Sequence, residues 1–342
     1  MKAPFVWFGG KRKVAPQVWA ALGDVDNYVE PFAGSLAVLL ARPHDMGDGS
    51  RRAETVNDAD GFLANFWRAV ALNPEAVAAH ADYPVNEVDL FARHLWLVND
   101  GRSRLLHGME SDPDWYDAKI AGWWVWGVNA WIGSGWCSGT GPWIHDGEKI
   151  VDSRQLPHLG NAGQGINRKL PHLGDAGQGI NRQLPHLSAG QGHPRRAYIM
   201  EWFGKLHDRL RDVRVTCGDW SRVVKDSVTT RHGLTGLFLD PPYTLGAMDY
   251  AAGGVGGDLA TEVRAWCAAN GQNQMLRIVL CGHKGEHDAL LANGWHARAW
   301  TARKGYAMTD EAVANSAGET IWCSPHCMPE RGVVRDLFAE AA

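Results

Sequence analysis

Short apolar segments typical of β-strands alternate with helical segments in both the first and the last third of this chain of 342 residues. The strand-like segments are 28–30, 53–56, 213–216, 237–239, 278–280 and 319–322. The helix-like segments are 15–22, 36–41, 62–70, 198–210 and 259–270. This alternation predicts an α/β fold, with one doubly wound sheet interrupted by a second domain.

The middle of the chain has a different composition. Tryptophans and glycines crowd its first part, which favours a tryptophan-rich helical core or a surface that approaches a groove closely. A fourteen-residue repeat follows. Its two full copies begin at Gln155 and Lys169, and a shortened third copy begins at Gln183. Three short polar copies cannot bury a core, so we expect a long loop over 155–192. The predicted domains are therefore 1–90, an insert at 91–194, and 195–342.

Composition excludes several classes of protein. Hydrophobic residues make up 45% and charged residues 21%, as in soluble globular proteins. No apolar run is long enough for a membrane span, the first residues do not form a signal peptide, and six scattered cysteines indicate reduced thiols. These features predict a cytoplasmic protein with no membrane partner.

Metal and nucleic-acid binding are not obvious from composition. Cys323, His326 and Cys327 resemble half of a zinc site, but no second pair with ligand spacing lies nearby, so we expect no metal. The net charge of −4 does not indicate a nucleic-acid binder by itself. Basic clusters at 11–13, 51–52 and 195–196 still allow a basic cleft on an acidic chain.

The run Asp240, Pro241, Pro242 and Tyr243 directly follows the strand-like segment 237–239. Proline fixes φ and lacks an N–H, so this turn presents carbonyl acceptors rigidly beside a carboxylate and an aromatic ring. Acceptors held in this way could bind the exocyclic amine of a planar base, with the aromatic ring stacked on the base. By itself the run is also compatible with an ordinary proline turn.

Three further strand ends carry residues that suit a nucleoside-containing cofactor. The first is the run Glu30, Pro31, Phe32, Ala33 and Gly34, where glycine allows close backbone approach. Asp58 follows the second strand and could bond ribose hydroxyls. Asp219 and Trp220 follow another strand and could bond and flank an adenine ring. Because ligands of doubly wound sheets bind beyond the strands' carboxyl ends, these features predict one shared site.

The motifs and their order resemble the Dam-like DNA adenine-N6 methyltransferases, which are class I S-adenosylmethionine enzymes. The resemblance rests on residues 7–11, 28–34, 57–58 and 240–243 and covers most of 1–90 and 195–325. It implies a Rossmann-like methyltransferase sheet with an inserted, mainly helical recognition domain. One position departs from the family pattern: Leu36 stands where relatives usually have a second glycine.

The resemblance also implies roles for individual residues. Trp7 and Lys11 should lie near the cofactor and the active site, and Lys11 also near DNA. Glu30 and Pro31 lead into Phe32, Ala33 and Gly34, which should pass beneath the methionine part of S-adenosylmethionine. Asp58 should bond the ribose, and Asp219, flanked by Trp220, the cofactor adenine.

The expected reaction is methyl transfer to adenine N6 in double-stranded DNA. Asp240 and the carbonyl of Pro241 would accept the amine hydrogens, Pro242 would stiffen the turn, and Tyr243 would stack on a base turned out of the helix. By loose resemblance, Asn129, Trp131, Ser134 and Trp136 of the insert would face the DNA groove.

Four alternatives remain open at this stage: cytosine-N4 methylation, a catalytically silent DNA-binding protein with the same fold, RNA as the substrate, and a phosphate-binding loop at 9–11. Relatives that act on RNA more often have Asn in place of Asp240, which disfavours RNA as the substrate. The spacing of residues 9–11 and the lack of Ser or Thr after the lysine disfavour a phosphate-binding loop. The sequence motifs do not predict the oligomeric state or the DNA target sequence. They also do not indicate whether a cognate restriction nuclease is a partner.

Overall fold

We describe a computed structural model of the chain, covering residues 1–7, 9–43, 52–112, 114–131, 136–137, 143–145, 150–152, 195–243, 256–300 and 319–329. The predicted repeat loop at 155–192 and the predicted DNA contact Ser134 lie outside these residues. No helix in the described ranges combines the length and apolar character needed to cross a bilayer.

Nine strands and eight α-helices are present in the described ranges. The strands are β1 Asn27–Glu30, β2 Ala53–Asp58, β3 Trp143–His145, β4 Ile150–Asp152, β5 Arg214–Cys217, β6 Thr235–Leu239, β7 Leu276–His283, β8 His296–Ala299 and β9 Glu319–Cys323. The helices are α1 Ala15–Leu22, α2 Gly61–Leu72, α3 Pro74–Ala81, α4 Glu87–Trp96, α5 Arg102–Ser111, α6 Ala118–Ala130, α7 Arg195–Leu210 and α8 Gly256–Asn270.

Seven strands form one sheet in the order β5-β2-β1-β6-β7-β9-β8. The first five are parallel, and β9 runs antiparallel to β7 and β8. Every residue of β1 and β6 is buried, as expected for central strands covered on both faces. The predicted α/β class and Rossmann-like sheet are confirmed. The switch in strand order lies between β1 and β6, where ligands of such sheets bind.

Sequence signals explain where the helices around the sheet begin and end. Asp60 caps α2 by accepting backbone N–H bonds from Phe62 and Leu63. Asn73 caps α3, which has proline in its first turn. Gly23, with φ of 61°, ends α1. These local signals set the helix boundaries, and burial of apolar faces then fixes the helices against the sheet.

The described part of the insert is mainly helical, with one antiparallel pair of short strands, β3 and β4. Its helices do not pack as an isolated body. Helix α6 packs against α2 and α3, and α3 packs against α7. Trp124 of α6 belongs to the same buried cluster as Phe66 of α2 and Phe203 of α7. A smaller cluster of Leu90, Trp126 and Trp131 lies beside it. Among the described tryptophans of the insert, Trp124, Trp126 and Trp131 are therefore buried, and the partly buried ones pack against these clusters, as the helical-core interpretation predicts.

One predicted helix is wrong in length. Segment 36–41 was expected to begin a helix, but only Leu39–Ala41 form a single 3-10 turn. Leu36 lies before it in a left-handed conformation, with φ of 54°, that an α-helix cannot include. The leucine and valine side chains of this segment are buried in the main core cluster, although no α-helix forms.

Candidate active site

The candidate residues meet at the edge of the sheet where the parallel strands end. The loop after β1, Asp58 at the end of β2, Asp219 beyond β5 and Asp240 directly after β6 all lie at carboxyl ends of parallel strands. Because β9 is antiparallel, its first residue, Glu319, reaches the same edge. The sheet therefore brings one carboxyl-bearing residue each from the ends of β2, β5, β6 and β9 to the edge that holds the loop after β1.

Lys11 reaches this edge from the turn before α1. Its ammonium donates to the carbonyl of Gly9 at 2.7 Å and lies 3.1 Å from Oδ1 of Asp240 and 3.8 Å from Oε2 of Glu319. The side chain is only 5% exposed. Burial acts to lower the pKa of Lys11, but the two carboxylates outweigh it and raise the pKa above its usual value. The ammonium is thus held charged inside the site.

Asp240 accepts two contacts on one oxygen. Besides Lys11, the phenol of Tyr243 donates to the same Oδ1 at 3.2 Å. Burial raises the pKa of Asp240, while the charge of Lys11 and the bond from Tyr243 act to lower it. Pro241 is buried and Pro242 is half-buried. The motif therefore places a carboxylate, a proline carbonyl and a phenol ring within a single turn.

The ring of Tyr243 is fixed by two neighbours besides Asp240. The ammonium of Lys11 lies 5.1 Å from the ring centroid, and the imidazole of His283, at the end of β7, meets the ring edge-on at 4.7 Å. A cation near the face of an aromatic ring is attracted by the ring's quadrupole. These contacts hold the aromatic surface next to the carboxylate.

The loop after β1 makes a close approach that requires glycine. Gly34 has φ of 46°, and a Cβ added there would lie 3.0 Å from Cδ1 of Trp7. Its N–H donates to Asp58 at 2.9 Å, and its carbonyl accepts from the indole of Trp67 at 3.0 Å. Trp7, Gly34 and Asp58 are thus brought together, as the resemblance implies.

A buried amide connects this loop to the neighbouring strands. Nδ2 of Asn57 donates to the carbonyls of Pro31 at 3.1 Å and Gly218 at 2.9 Å. The carbonyl of Asn57 accepts the N–H of Ala33 at 2.8 Å. One residue therefore sets the spacing between the loop after β1 and the turn after β5. Sequence reasoning gave Asn57 no role, although it directly precedes Asp58.

Two carboxyl groups of this region are strongly affected by burial. Burial raises the pKa of Glu30 to about 8, although the Tyr28 hydroxyl and the N–H of Leu39 bond to it. Burial likewise raises the pKa of Asp58 to about 6, opposed by N–H bonds from Asp60 and Gly34. Glu30 is therefore largely neutral at pH 7 and braces the loop, whereas Asp58 remains largely ionised.

Asp219 and Trp220 lie across the loop from Asp58. Asp219 is exposed and caps a 3-10 turn by accepting the N–H of Ser221 at 2.9 Å. Trp220 is buried and stacks on Phe32, with 6.0 Å between ring centroids and 28° between planes. An exposed carboxylate beside an aromatic pair therefore borders the loop after β1.

Of the insert residues predicted to contact DNA, the structure describes Asn129, Trp131 and Trp136, and the first two are buried. Asn129 is buried and donates to the carbonyls of Pro4 at 3.1 Å and Val125 at 2.8 Å. Trp131 is buried and stacks on His94, and Trp136 donates to the carbonyl of Trp124. This placement favours a packing role for Asn129 and Trp131, because their polar groups and ring faces are occupied inside the protein.

Glu319 and His283 are site residues that sequence reasoning missed. Both lie at ends of strands that the sequence did predict, and they are direct partners in the β7–β9 register. The strand direction was the missing information, since only an antiparallel β9 brings its first residue to the active edge. Among the described residues, no group of three or more His, Cys, Asp or Glu could hold a metal ion.

Comparison with known proteins identifies the region that holds much of this site. Residues 7–91 match the family model of the D12 class N6 adenine-specific DNA methyltransferases. The matched residues include Trp7, Lys11, the loop after β1 and Asp58. A comparison with curated proteins gave no significant match. The family match agrees with the strand order of the sheet, and the similarity over residues 7–91 supports an adenine-specific DNA methyltransferase.

Proposed function

We propose that this enzyme transfers a methyl group from S-adenosylmethionine to adenine N6 in double-stranded DNA, after the target base has turned out of the helix. The observation that carries the proposal is the group of Asp240, Tyr243 and Lys11 at the end of β6, directly across the switch point from the loop after β1. The residues directly after β6 would bind the adenine amine, and the loop after β1 would bind the cofactor.

The described residues fit S-adenosylmethionine. Gly34 adopts a left-handed conformation in which a side chain would crowd Trp7, so the loop depends on having no Cβ there. Asp58 would accept hydrogen bonds from the ribose hydroxyls and Asp219 would bond the adenine, beside the ring of Trp220. When bound, S-adenosylmethionine supplies an electrophilic methyl group.

The chain's own residues would activate the adenine amine. Its nitrogen lone pair is delocalised into the ring, which makes it a weak nucleophile. Asp240 and the carbonyl of Pro241 would each accept one N–H, which draws the nitrogen toward tetrahedral geometry and frees the lone pair. The nitrogen becomes cationic as it accepts the methyl group, and it then loses one proton, for which Asp240 is the adjacent base. Tyr243 would stack on the base.

Substitution of Asp240 tests this function. We expect Asp240→Ala to lower the rate of methyl transfer at least about a hundredfold, because the transition state loses its charged acceptor. Binding of S-adenosylmethionine, measured by calorimetry, should change little. The assay follows incorporation of a radiolabelled methyl group into unmethylated genomic DNA, with mass spectrometry of the digested nucleosides. Full activity in the variant would contradict the proposal.

The same digest separates the alternatives. N6-methyladenine as the product supports the proposed reaction, whereas N4-methylcytosine would replace it by cytosine-N4 methylation. Absence of S-adenosylmethionine binding would favour a catalytically silent DNA-binding protein. Incorporation into duplex DNA but not into single-stranded DNA or RNA of the same sequence tests the substrate. Sequencing the modified bases then gives the target site.

A further inference from the structure

Lys11 lies between two carboxylates, and only one of them belongs to the motif after β6. Its ammonium is 3.1 Å from Asp240 and 3.8 Å from Glu319, and the carbonyl of Gly9 anchors it at 2.7 Å. All three charged side chains are less than one-fifth exposed. One ammonium and two carboxylates in so small a buried volume leave one negative charge in excess.

The position of Glu319 is a consequence of the sheet topology. It opens β9 and pairs with His283 at the end of β7, and β7 is the neighbour of β6. Because β9 is antiparallel, its first residue places a carboxylate at the edge where the parallel strands β6 and β7 end. Among the described residues, Oε2 of Glu319 has no hydrogen-bond partner, and Lys11 is its ion-pair partner.

The proposed reaction places a specific demand on Asp240. Its carboxylate must accept an N–H of the adenine amine and stabilise the positive charge that develops on the nitrogen. Its Oδ1 already accepts from Lys11 and Tyr243. An ammonium ion bound by Asp240 alone would neutralise that carboxylate and weaken it as an acceptor. A second carboxylate near the ammonium counteracts this effect.

We propose that Glu319 is a positioning residue for catalysis, which shares the Lys11 ammonium with Asp240 and so keeps the Asp240 carboxylate available to the adenine amine. The inference rests on the proposed function, since it assigns Asp240 the role of amine acceptor. Glu319 itself does not touch the substrate and acts through Lys11.

The charged and titratable groups that surround the cluster come from every element packed around it. They are Lys11 from the turn before α1, Glu30 of β1, Asp240 and Tyr243 after β6, Cys281 and His283 of β7, and Glu319 of β9. The charge of Asp240 opposes the ionisation of Glu319, and Lys11 favours the ionisation of both carboxyl groups. Repulsion between two charges is mutual, so Glu319 must also oppose the ionisation of Asp240. Loss of Glu319 should therefore make Asp240 easier to ionise but more fully neutralised by Lys11.

The first experiment measures the single-turnover rate of methyl transfer in Glu319→Gln, which keeps the size of the side chain and removes its charge. We expect the rate to fall about tenfold, the effect typical of one interaction with a charged group. Glu262→Gln is the matched control, because Glu262 is an exposed carboxylate on α8. The control should keep the original rate, and both variants should keep their melting temperature and their binding of S-adenosylmethionine.

A double-mutant cycle shows whether Glu319 acts through Lys11. In a Lys11→Met background, Glu319→Gln should cause no further loss, because the ammonium to be shared is absent. A rise in rate would also support the inference, since the substitution then removes repulsion between two carboxylates. An equal loss in both backgrounds would show that Glu319 acts independently of Lys11 and would overturn the proposal, as would an unchanged rate in both.

The pH profile gives a readout that a purely structural role would leave unchanged. In the original enzyme the rate should fall at low pH as Glu319 and Asp240 take up protons. Removal of the neighbouring negative charge in Glu319→Gln should lower the pKa of Asp240, so the acid limb should move to lower pH. An acid limb at the original pH would contradict the inference. If the original enzyme produces no N6-methyladenine, the proposed function fails instead, so the two failures are distinguishable.

Discussion

Leu36 has a backbone conformation that is unusual for a residue other than glycine. The family resemblance leads us to expect a glycine at this position, and the φ of 54° is in the left-handed region that favours glycine. Its side chain is fully buried. The conformation costs a non-glycine residue about 1–2 kcal/mol, whereas burial of a leucine contributes about 1.5–3 kcal/mol. Burial therefore offsets the strain, and the loop keeps its course beside the site.

A comparison of two substitutions tests this balance. Leu36→Ala and Leu36→Gly should each lower the free energy of unfolding by about 2–5 kcal/mol, because both remove a buried side chain. Glycine should be the better tolerated of the two by about 1 kcal/mol, since only alanine retains the left-handed strain. Urea denaturation measures both values.

Leu39 provides the matched reference for this pair. It is also fully buried but lies in a 3-10 turn without positive φ. There the ordinary order should hold, with Leu39→Ala more stable than Leu39→Gly by about 0.5–1 kcal/mol. The same order at both positions would mean that Leu36 is not left-handed in solution.

At the scale of elements, the helices of the insert approach those of the sheet layer closely. Gly122 of α6 lies against the backbone of α3, where an added Cβ would be 2.7 Å from the carbonyl oxygen of Val77 and 2.8 Å from the carbonyl carbon of His80. Backbone atoms cannot move aside as a flexible side chain can. Contact between α3 and α6 therefore depends on the absence of a side chain at this position.

Gly122→Ala should lower the free energy of unfolding by about 1–3 kcal/mol through overpacking, even though alanine is the better helix former. Gly204→Ala in α7 is the control, because a Cβ there meets nothing within 4 Å among the described residues. It should raise stability by about 1 kcal/mol, the helix propensity difference alone. Opposite signs in chemical denaturation confirm the close approach, and a stabilising Gly122→Ala would exclude it.

Sequence patterns predicted the elements that carry a strong apolar signal and missed those that do not. The strands β1, β2, β5, β6, β7 and β9 all coincide with predicted segments. The edge strand β8, His296–Ala299, was missed because it has mostly exposed residues and no apolar alternation. The separate helices of the insert were also not resolved, since tryptophans on several faces of α6 obscure its period.

At the scale of the whole molecule, the site depends on strand order, which no local pattern encodes. The motif residues of 240–243 and the loop after β1 could be recognised from sequence, and their proximity follows from the placement of β1 beside β6. The presence of Glu319 in the site could not be predicted from sequence, because it depends on the direction of β9. The burial of Asn129 could not be predicted either, because it depends on helix packing. The sequence thus identifies residues with suitable chemistry, whereas the fold determines which side chains contact one another.

The stability of the whole fold should depend on pH through Glu30. Its pKa is raised by burial from an ordinary 4.5 to about 8. Between these values the folded state binds the proton that the unfolded state releases, so the free energy of unfolding falls as pH rises. The contribution is complete below pH 4.5 and is lost as pH rises through about 8, and the full difference corresponds to about 5 kcal/mol.

Glu30→Gln should remove much of this dependence, because glutamine keeps an acceptor for the Tyr28 hydroxyl and the Leu39 N–H but has no proton to lose. Denaturation at pH 5 and pH 9 should show a smaller fall in stability for Glu30→Gln than for the original chain. The exposed Glu262→Gln should show the original fall. Equal slopes in all three proteins would mean that Glu30 is ionised in the fold at neutral pH, and that the loop after β1 carries a buried charge beside Asp58 and Asp240.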